Sequence, residues 1–237
     1  MTPSPMPAPN PEPYPAAHEL TLVEEIALLG LDDQTGQWLG LPLNAFAFGL
    51  AGAVIADLFL ARRIDTDLKQ LTVLDSRPLG DAILDPWLER FARAPKPMSV
   101  MQWMHEISWT HFELRQEAVK RLVDRGILRM EKTRILWAFG LRRYPTVDGR
   151  ERVEVRTRLG RLILGDELPD PRDATLISLL WGCRLTEHLF PGAEFAARQA
   201  RVEQLAKMDL VGRDVAAATR QSMDIMVHAL AAATPQP

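Results

Sequence analysis

With a single cysteine, Cys183, in 237 residues, no intramolecular disulfide framework can form, and five scattered histidines exclude a cysteine-rich zinc site as well. That usage suits a reducing cytoplasm. Charge of one sign is lacking too: 28 Lys and Arg face 31 Asp and Glu, and the resulting −3 exerts no global pull toward nucleic acid or anionic lipid. The N-terminus has neither the charged region nor the apolar core of a signal peptide. The longest apolar stretch, LNAFAFGLAGAVIADLFLA (43–61), has only twelve residues between Asn44 and Asp57 and is followed by Arg62 and Arg63. A span needs about 20 apolar residues, and an Asp near a bilayer centre costs roughly 2.5–3.5 kcal/mol. The stretch therefore reads as a buried core helix. Missing as well are the G-x-S-x-G elbow, the phosphate-cradling G-x-x-x-x-G-K-[ST] loop and a G-x-G-x-x-G after a strand.

What is present begins with a leader, MTPSPMPAPNPEPYPAA, that carries proline at every second position from Pro3 to Pro15. Lacking N–H groups and held near polyproline II geometry, residues 1–18 are expected to be an extended, solvated tail. The rest, about 19–233, is expected to be one mainly α-helical domain. Leu20, Val23, Ile26 and Ala27 follow helical spacing, with Thr21 and Glu24 placed as a capping box. Asp32, Asp33 and Gly36 then suit an exposed turn, so these early carboxylates read as fold rather than metal or acid–base chemistry. They lack calcium-loop spacing.

Residues 71–75 suggest a strand, and Leu84, Trp87, Leu88 and Phe91 an amphipathic helix. Further helices are expected near 99–107 and 111–124, then a hairpin over ILRMEKTRILWAFGLRRYP with a polar turn at Glu131 to Thr133. The C-terminal third reads as helices around 172–189, 193–208 and 213–232.

Three places invite a functional reading. HEISWTH (105–111) separates His105 and His111 by six residues, which turns the imidazoles apart on a helix and argues against a shared metal. Cys183 has Glu187 and His188 nearby, and an enzyme using Cys183 and His188 is a weak third option beside inert core packing. The segment 113–145 holds nine basic against four acidic residues, a local +5 that leaves −8 elsewhere. Its arginines can pair with phosphate oxygens. That patch fits a solvated face, a membrane surface contacted by Arg121, Arg125 and Arg129, or, as the alternative function, a winged-helix-like nucleic-acid binder using the basic helix and hairpin of 111–145. The acidity of the remainder weighs against nucleic acid.

In order and spacing, TLVEEIALLGLDDQTG (21–36), GLAGAVIADLFLARRI (49–64), PLGDAILDPWL (78–88), RLVDRGILRMEK (121–132) and DPRDATLISLLWG (170–182) resemble the blocks of the Golgi phosphoprotein 3 family. The resemblance covers about 19 to 232. It implies one mainly α-helical domain with a protruding β-hairpin, no catalytic activity, no cofactor, and binding of phosphatidylinositol 4-phosphate at a membrane surface. In eukaryotic members that lipid recruits the protein to the Golgi, where it helps retain glycosyltransferases through their cytoplasmic tails. It further implies client protein tails and homo-oligomerisation through the hairpin, here 127–144. The alanine-, arginine- and proline-rich usage suggests a bacterial member, placed in the cytoplasm or at the inner face of the cell membrane.

The family surrounds its headgroup phosphate with a tryptophan and three arginines. Arg115, at the end of FELR (112–115), matches one arginine, and Trp38 lies near the tryptophan position. Phe112 and Ala51 stand where the other two arginines are expected. Each absent guanidinium removes charge-assisted contacts worth roughly 1.5–3 kcal/mol. Specificity for the phosphoinositide should therefore be weak, with attraction to anionic membranes of about 1 kcal/mol per basic residue.

Overall fold

Thr21 starts the first helix, α1 (Leu22–Leu29): its side chain accepts from the Glu24 amide, and the Glu24 carboxylate accepts from the Thr21 amide at 2.8 Å. A second carboxylate reaches the same helix end from elsewhere in the chain. Asp57, fully buried on α2 (Leu43–Leu60), accepts from the amides of Leu22 and Val23 at 2.9 and 3.2 Å. Anions stabilise a helix N-terminus because its first amides have no partner within the helix. The computed structural model describes residues 19–67, 70–132 and 142–208. The proline-rich leader, the hairpin tip and the helix expected at 213–232 lie outside them.

Helix α2 is the apolar stretch flagged by the sequence. By length and composition it could cross a membrane, but fourteen of its eighteen residues are buried against protein. It packs on α1 and on α3 (Leu84–Ala92), α4 (Val100–Ser108), α5 (His111–Asp124) and α7 (Pro171–Gly182). Small residues permit that crowding: a Cβ on Gly49 would sit 3.0 Å from the Cys183 Cβ just beyond α7. A continuous apolar core runs from Leu20 to Leu205, as a mainly α-helical domain requires.

The strand expected near 71–75 is β2 (Gln70–Val73), paired antiparallel with β1 (Ile64–Asp67). Sequence reasoning missed β1, since IDTD has little β-forming character apart from its isoleucine and threonine. The hairpin is present, but its register corrects the expected turn: Glu131 and Lys132 form strand β3 (Glu131–Lys132), paired with Arg143 and Arg142 of β4 (Arg142–Arg143). A bridge between Leu128 and Thr146 closes its base.

The next helix, α6 (Arg150–Leu164), begins after Gly149, which has a positive φ. Beyond α7, the expected helix 172–189 is broken at Arg184, which also has positive φ, giving α8 (Leu185–Leu189). The span 193–208 is likewise divided, at Arg198, into α9 (Ala193–Ala197) and α10 (Gln199–Met208). Helical spacing continues across both breaks, so periodicity alone hides them.

Candidate functional site

Trp38 owes its position to the loop after α1. Asp32 ties that loop through its carboxylate, which accepts from the Thr35 amide at 2.8 Å and the Thr35 hydroxyl at 2.7 Å. The hydroxyl bond is the chief reason its pKa falls below the ordinary range. The chain then doubles back, with Asp32 N–H donating to the Gln37 carbonyl, Leu39 N–H to that of Gly30, and Trp38 bridging Leu31. At the bend Gly36 has φ +63°, and a Cβ there would lie 2.3 Å from the Pro145 nitrogen. Tyr144 N–H donates to the Gly36 carbonyl at 2.8 Å, so loop and hairpin are joined.

Onto this joint α5 lays Arg115. Its guanidinium lies 3.8 Å above the Trp38 ring centroid and 5.7 Å from that of Phe46, while Trp38 and Phe46 pack at 5.5 Å. A flat cation over an indole face is attracted by the ring quadrupole. Among the described residues no carboxylate pairs with Arg115. Burial lowers its pKa, opposed by the Tyr144 phenol, yet an arginine stays charged at physiological pH. Trp38, Phe112, Arg115, Gln116, Arg142 and Tyr144 line a cavity of about 230 Å³ together with Val119.

The structure thus brings together Trp38 and Arg115, and it adds Arg142, Tyr144 and Gln116, which sequence reasoning missed. A signal for two of them existed: the second strand expected from the sequence runs to Tyr144, and residues two apart on a strand share a face, which would set Arg142 and Tyr144 on one side. In the structure β4 ends at Arg143 and Tyr144 follows it directly. Phe112 is in the wall, whereas Ala51 is fully buried in α2 and takes no part in it.

Of the three arginines expected on a membrane-facing patch, Arg129 is at the surface and the other two reach toward Glu24. Arg121, with its side chain 24% exposed, reaches Glu24 at 3.1 Å and Asp81 at 2.8 Å. Arg125, at 32%, reaches Glu24 at 3.4 Å and the Glu19 carbonyl at 3.1 Å. Arg129 is exposed and pairs with Glu131 at 2.9 Å. Arg121 and Arg125 turn inward because Glu24 is fully buried and needs cations. The same geometry removes two of the cations that a winged-helix reading of α5 would aim at DNA.

Glu24 therefore both caps α1 and holds the helix that carries Arg115. Glu25 does the corresponding work on the other side, pairing with Arg158 at 2.8 Å and Arg172 at 3.0 Å. Asp33 pairs with Arg152 and, at 2.8 Å, with Arg156. The Cys183 and His188 option finds no shared geometry: the thiol is fully buried and its pKa is pushed up to about 12 by burial. His188 is exposed, its Nδ1 3.2 Å from the Arg184 carbonyl. Among the described residues no three His, Cys, Asp or Glu cluster as metal ligands.

A family signature described as Golgi phosphoprotein 3 (GPP34) matches residues 22–222, which is most of the chain. The chain belongs to the Golgi phosphoprotein 3 family. It is also similar to vacuolar protein sorting-associated protein 74 of Eremothecium gossypii, with 28% identity over 161 residues. That match takes in 59% of this chain and 48% of the relative, so the chain spans about half the length of the curated relative it matches. Both the cavity and the arginine network around α1 fall inside the Golgi phosphoprotein 3 region. The sequence blocks that suggested this family contain Glu24, Glu25 and Asp57, whose buried pairings explain why acidic residues recur in otherwise apolar blocks.

Proposed function

We propose that this protein is a non-enzymatic peripheral membrane adaptor whose Trp38–Arg115 cavity takes the phosphate of an anionic phospholipid headgroup. The observation that carries the reading is Arg115: a guanidinium stacked at 3.8 Å on Trp38, in an open cavity, with no carboxylate partner among the described residues. Arg121, Arg125 and Arg129 are already paired with acids, whereas this one is held flat and left available for an oxyanion. Arg142 brings a second cation to the wall, and Gln116 and Tyr144 bring neutral hydrogen-bonding groups.

Family membership and the likeness to a protein named for vacuolar sorting support an adaptor role at a cytoplasmic membrane face. By the same kinship the lipid would be phosphatidylinositol 4-phosphate, the protein partners client tails, and a second copy would join through the hairpin 127–144. With Phe112 and Ala51 adding no charge, two guanidiniums recognise phosphate but discriminate little among headgroups.

Co-sedimentation of the full chain with neutral, phosphatidylglycerol-containing and phosphatidylinositol 4-phosphate-containing vesicles at two salt concentrations tests this. Binding to both anionic vesicle types and not to neutral ones is expected. Arg115→Ala should weaken it about tenfold or more, as expected for loss of a charge-assisted contact. An Arg115→Ala variant that sediments like the wild type, or a wild type that binds no anionic vesicle, overturns the reading.

A further inference from the structure

At the corner between α4 and α5 two aromatic side chains stand out in solvent: Trp109 is 72% exposed and Phe112 55%. The corner itself is stiff. Ser108 Oγ donates to the His105 carbonyl at 2.7 Å and Thr110 Oγ1 to the Ile107 carbonyl at 2.8 Å. His111 Nδ1 lies 2.8 Å from the Ser108 carbonyl. The rings of these two histidines also brace the aromatics, His105 meeting Trp109 edge-on at 5.6 Å and His111 lying 4.1 Å from Phe112. Hydrogen bonds and ring contacts thus hold two large apolar surfaces toward water, and Phe112 is at the same time a wall of the Arg115 cavity.

We propose that Trp109 and Phe112 form a wedge that enters the interfacial region of an anionic bilayer while Arg115 holds a headgroup phosphate. This rests on the headgroup reading above and adds how the protein is held. A free phosphate would satisfy Arg115 and leave both aromatics wet. A bilayer offers phosphate and hydrocarbon side by side, and matches a cationic cavity with an apolar lip. Tryptophan in particular sits at such boundaries, its ring in the apolar layer and its N–H in the polar one. Glu106 and Glu113 are also exposed on this corner, so Coulombic attraction is weak here and apolar burial must supply the hold. That hold is less sensitive to salt than Arg115 is.

The test compares the full-length wild type with Trp109→Ser, Phe112→Ser and Arg115→Ala on phosphatidylglycerol vesicles at low and high salt. Tryptophan fluorescence is also read on vesicles whose acyl chains carry bromine. Each aromatic variant should bind about tenfold more weakly at either salt, since exposed apolar area is no longer buried. Bromine should quench the wild type, and Trp109→Phe should remove most of that quenching. Glycerol 3-phosphate, a soluble probe of the cavity, should bind Trp109→Ser as it binds the wild type. Both aromatics are exposed, so these variants should fold, which thermal unfolding verifies. If both serine variants bind like the wild type, or bromine quenches nothing while Arg115→Ala is impaired, the wedge is overturned and the headgroup reading stands. A wild type that ignores anionic vesicles overturns both.

Discussion

Gly36 shows how much one residue can control at this site. With its positive φ and a Pro145 nitrogen that would lie only 2.3 Å from an added Cβ, there is no room for a methyl group. Gly36→Ala should destabilise the protein by about 2–4 kcal/mol and part the Trp38 loop from the hairpin. Chemical denaturation measures the first effect, and loss of anionic vesicle binding at temperatures where the variant is still folded measures the second. Glu24 is a residue of similar leverage. It is fully buried, caps α1 and faces two guanidiniums, so Glu24→Gln leaves Arg121 and Arg125 partly uncompensated. Removing one partner of a buried pair typically costs about 3–5 kcal/mol, and the midpoint of urea unfolding should fall accordingly.

Among the elements, α1 adds to its buried apolar residues two buried carboxylates, Glu24 and Glu25, paired with arginines from outside it, which gives its stability a particular pH dependence. Burial raises the carboxyl pKa of Glu25 above its ordinary 4.5, against the lowering pull of Arg172 and Arg158. In the window between 4.5 and that higher folded value, the folded state holds a proton that the unfolded state lacks. Folding is thus favoured by this group as pH falls through the window, with no further change once both states are protonated. The unfolding free energy of the wild type minus that of Glu25→Gln should therefore grow as pH falls from 7 to 4. A flat difference would mean that burial does not dominate at Glu25. Where α7 gives way to α8, Cys183 faces Gly49 of α2 and its thiol is pushed up to about 12. Iodoacetamide should leave it unmodified in the native protein and label it in urea, as followed by mass spectrometry.

At the scale of the whole molecule, charge is divided between two tasks. Arginines of α5, α6 and α7 are drawn inward to Glu24, Glu25 and Asp33, pinning three helices around α1. Arg115 and Arg142 are brought to one open cavity by α5 and the hairpin. A local excess of +5 in the sequence therefore overstates the charge offered to a membrane. The salt dependence of vesicle binding should be correspondingly shallow, closer to two cations than to nine, and a titration of binding against ionic strength measures it.

Much of the architecture could be read from residue order. The Thr21–Glu24 capping box, the amphipathic face of Leu84, Trp87, Leu88 and Phe91, and the apolar length of 43–61 are local patterns whose physics acts within a few turns of chain. The family blocks likewise identified the helical domain and singled out Arg115 and Trp38. Which arginines are free was decided only in three dimensions, because Arg121 and Arg125 meet Glu24 across about a hundred residues and nothing near them in sequence announces it. Periodicity also could not locate the break at Arg184, where one left-handed residue redirects a helix whose apolar spacing continues. The cavity belongs to the same class of fact. It exists where Gly36 lets a loop touch a hairpin strand and α5 lays a guanidinium across the joint, and contacts between distant segments are set by packing rather than by local pattern.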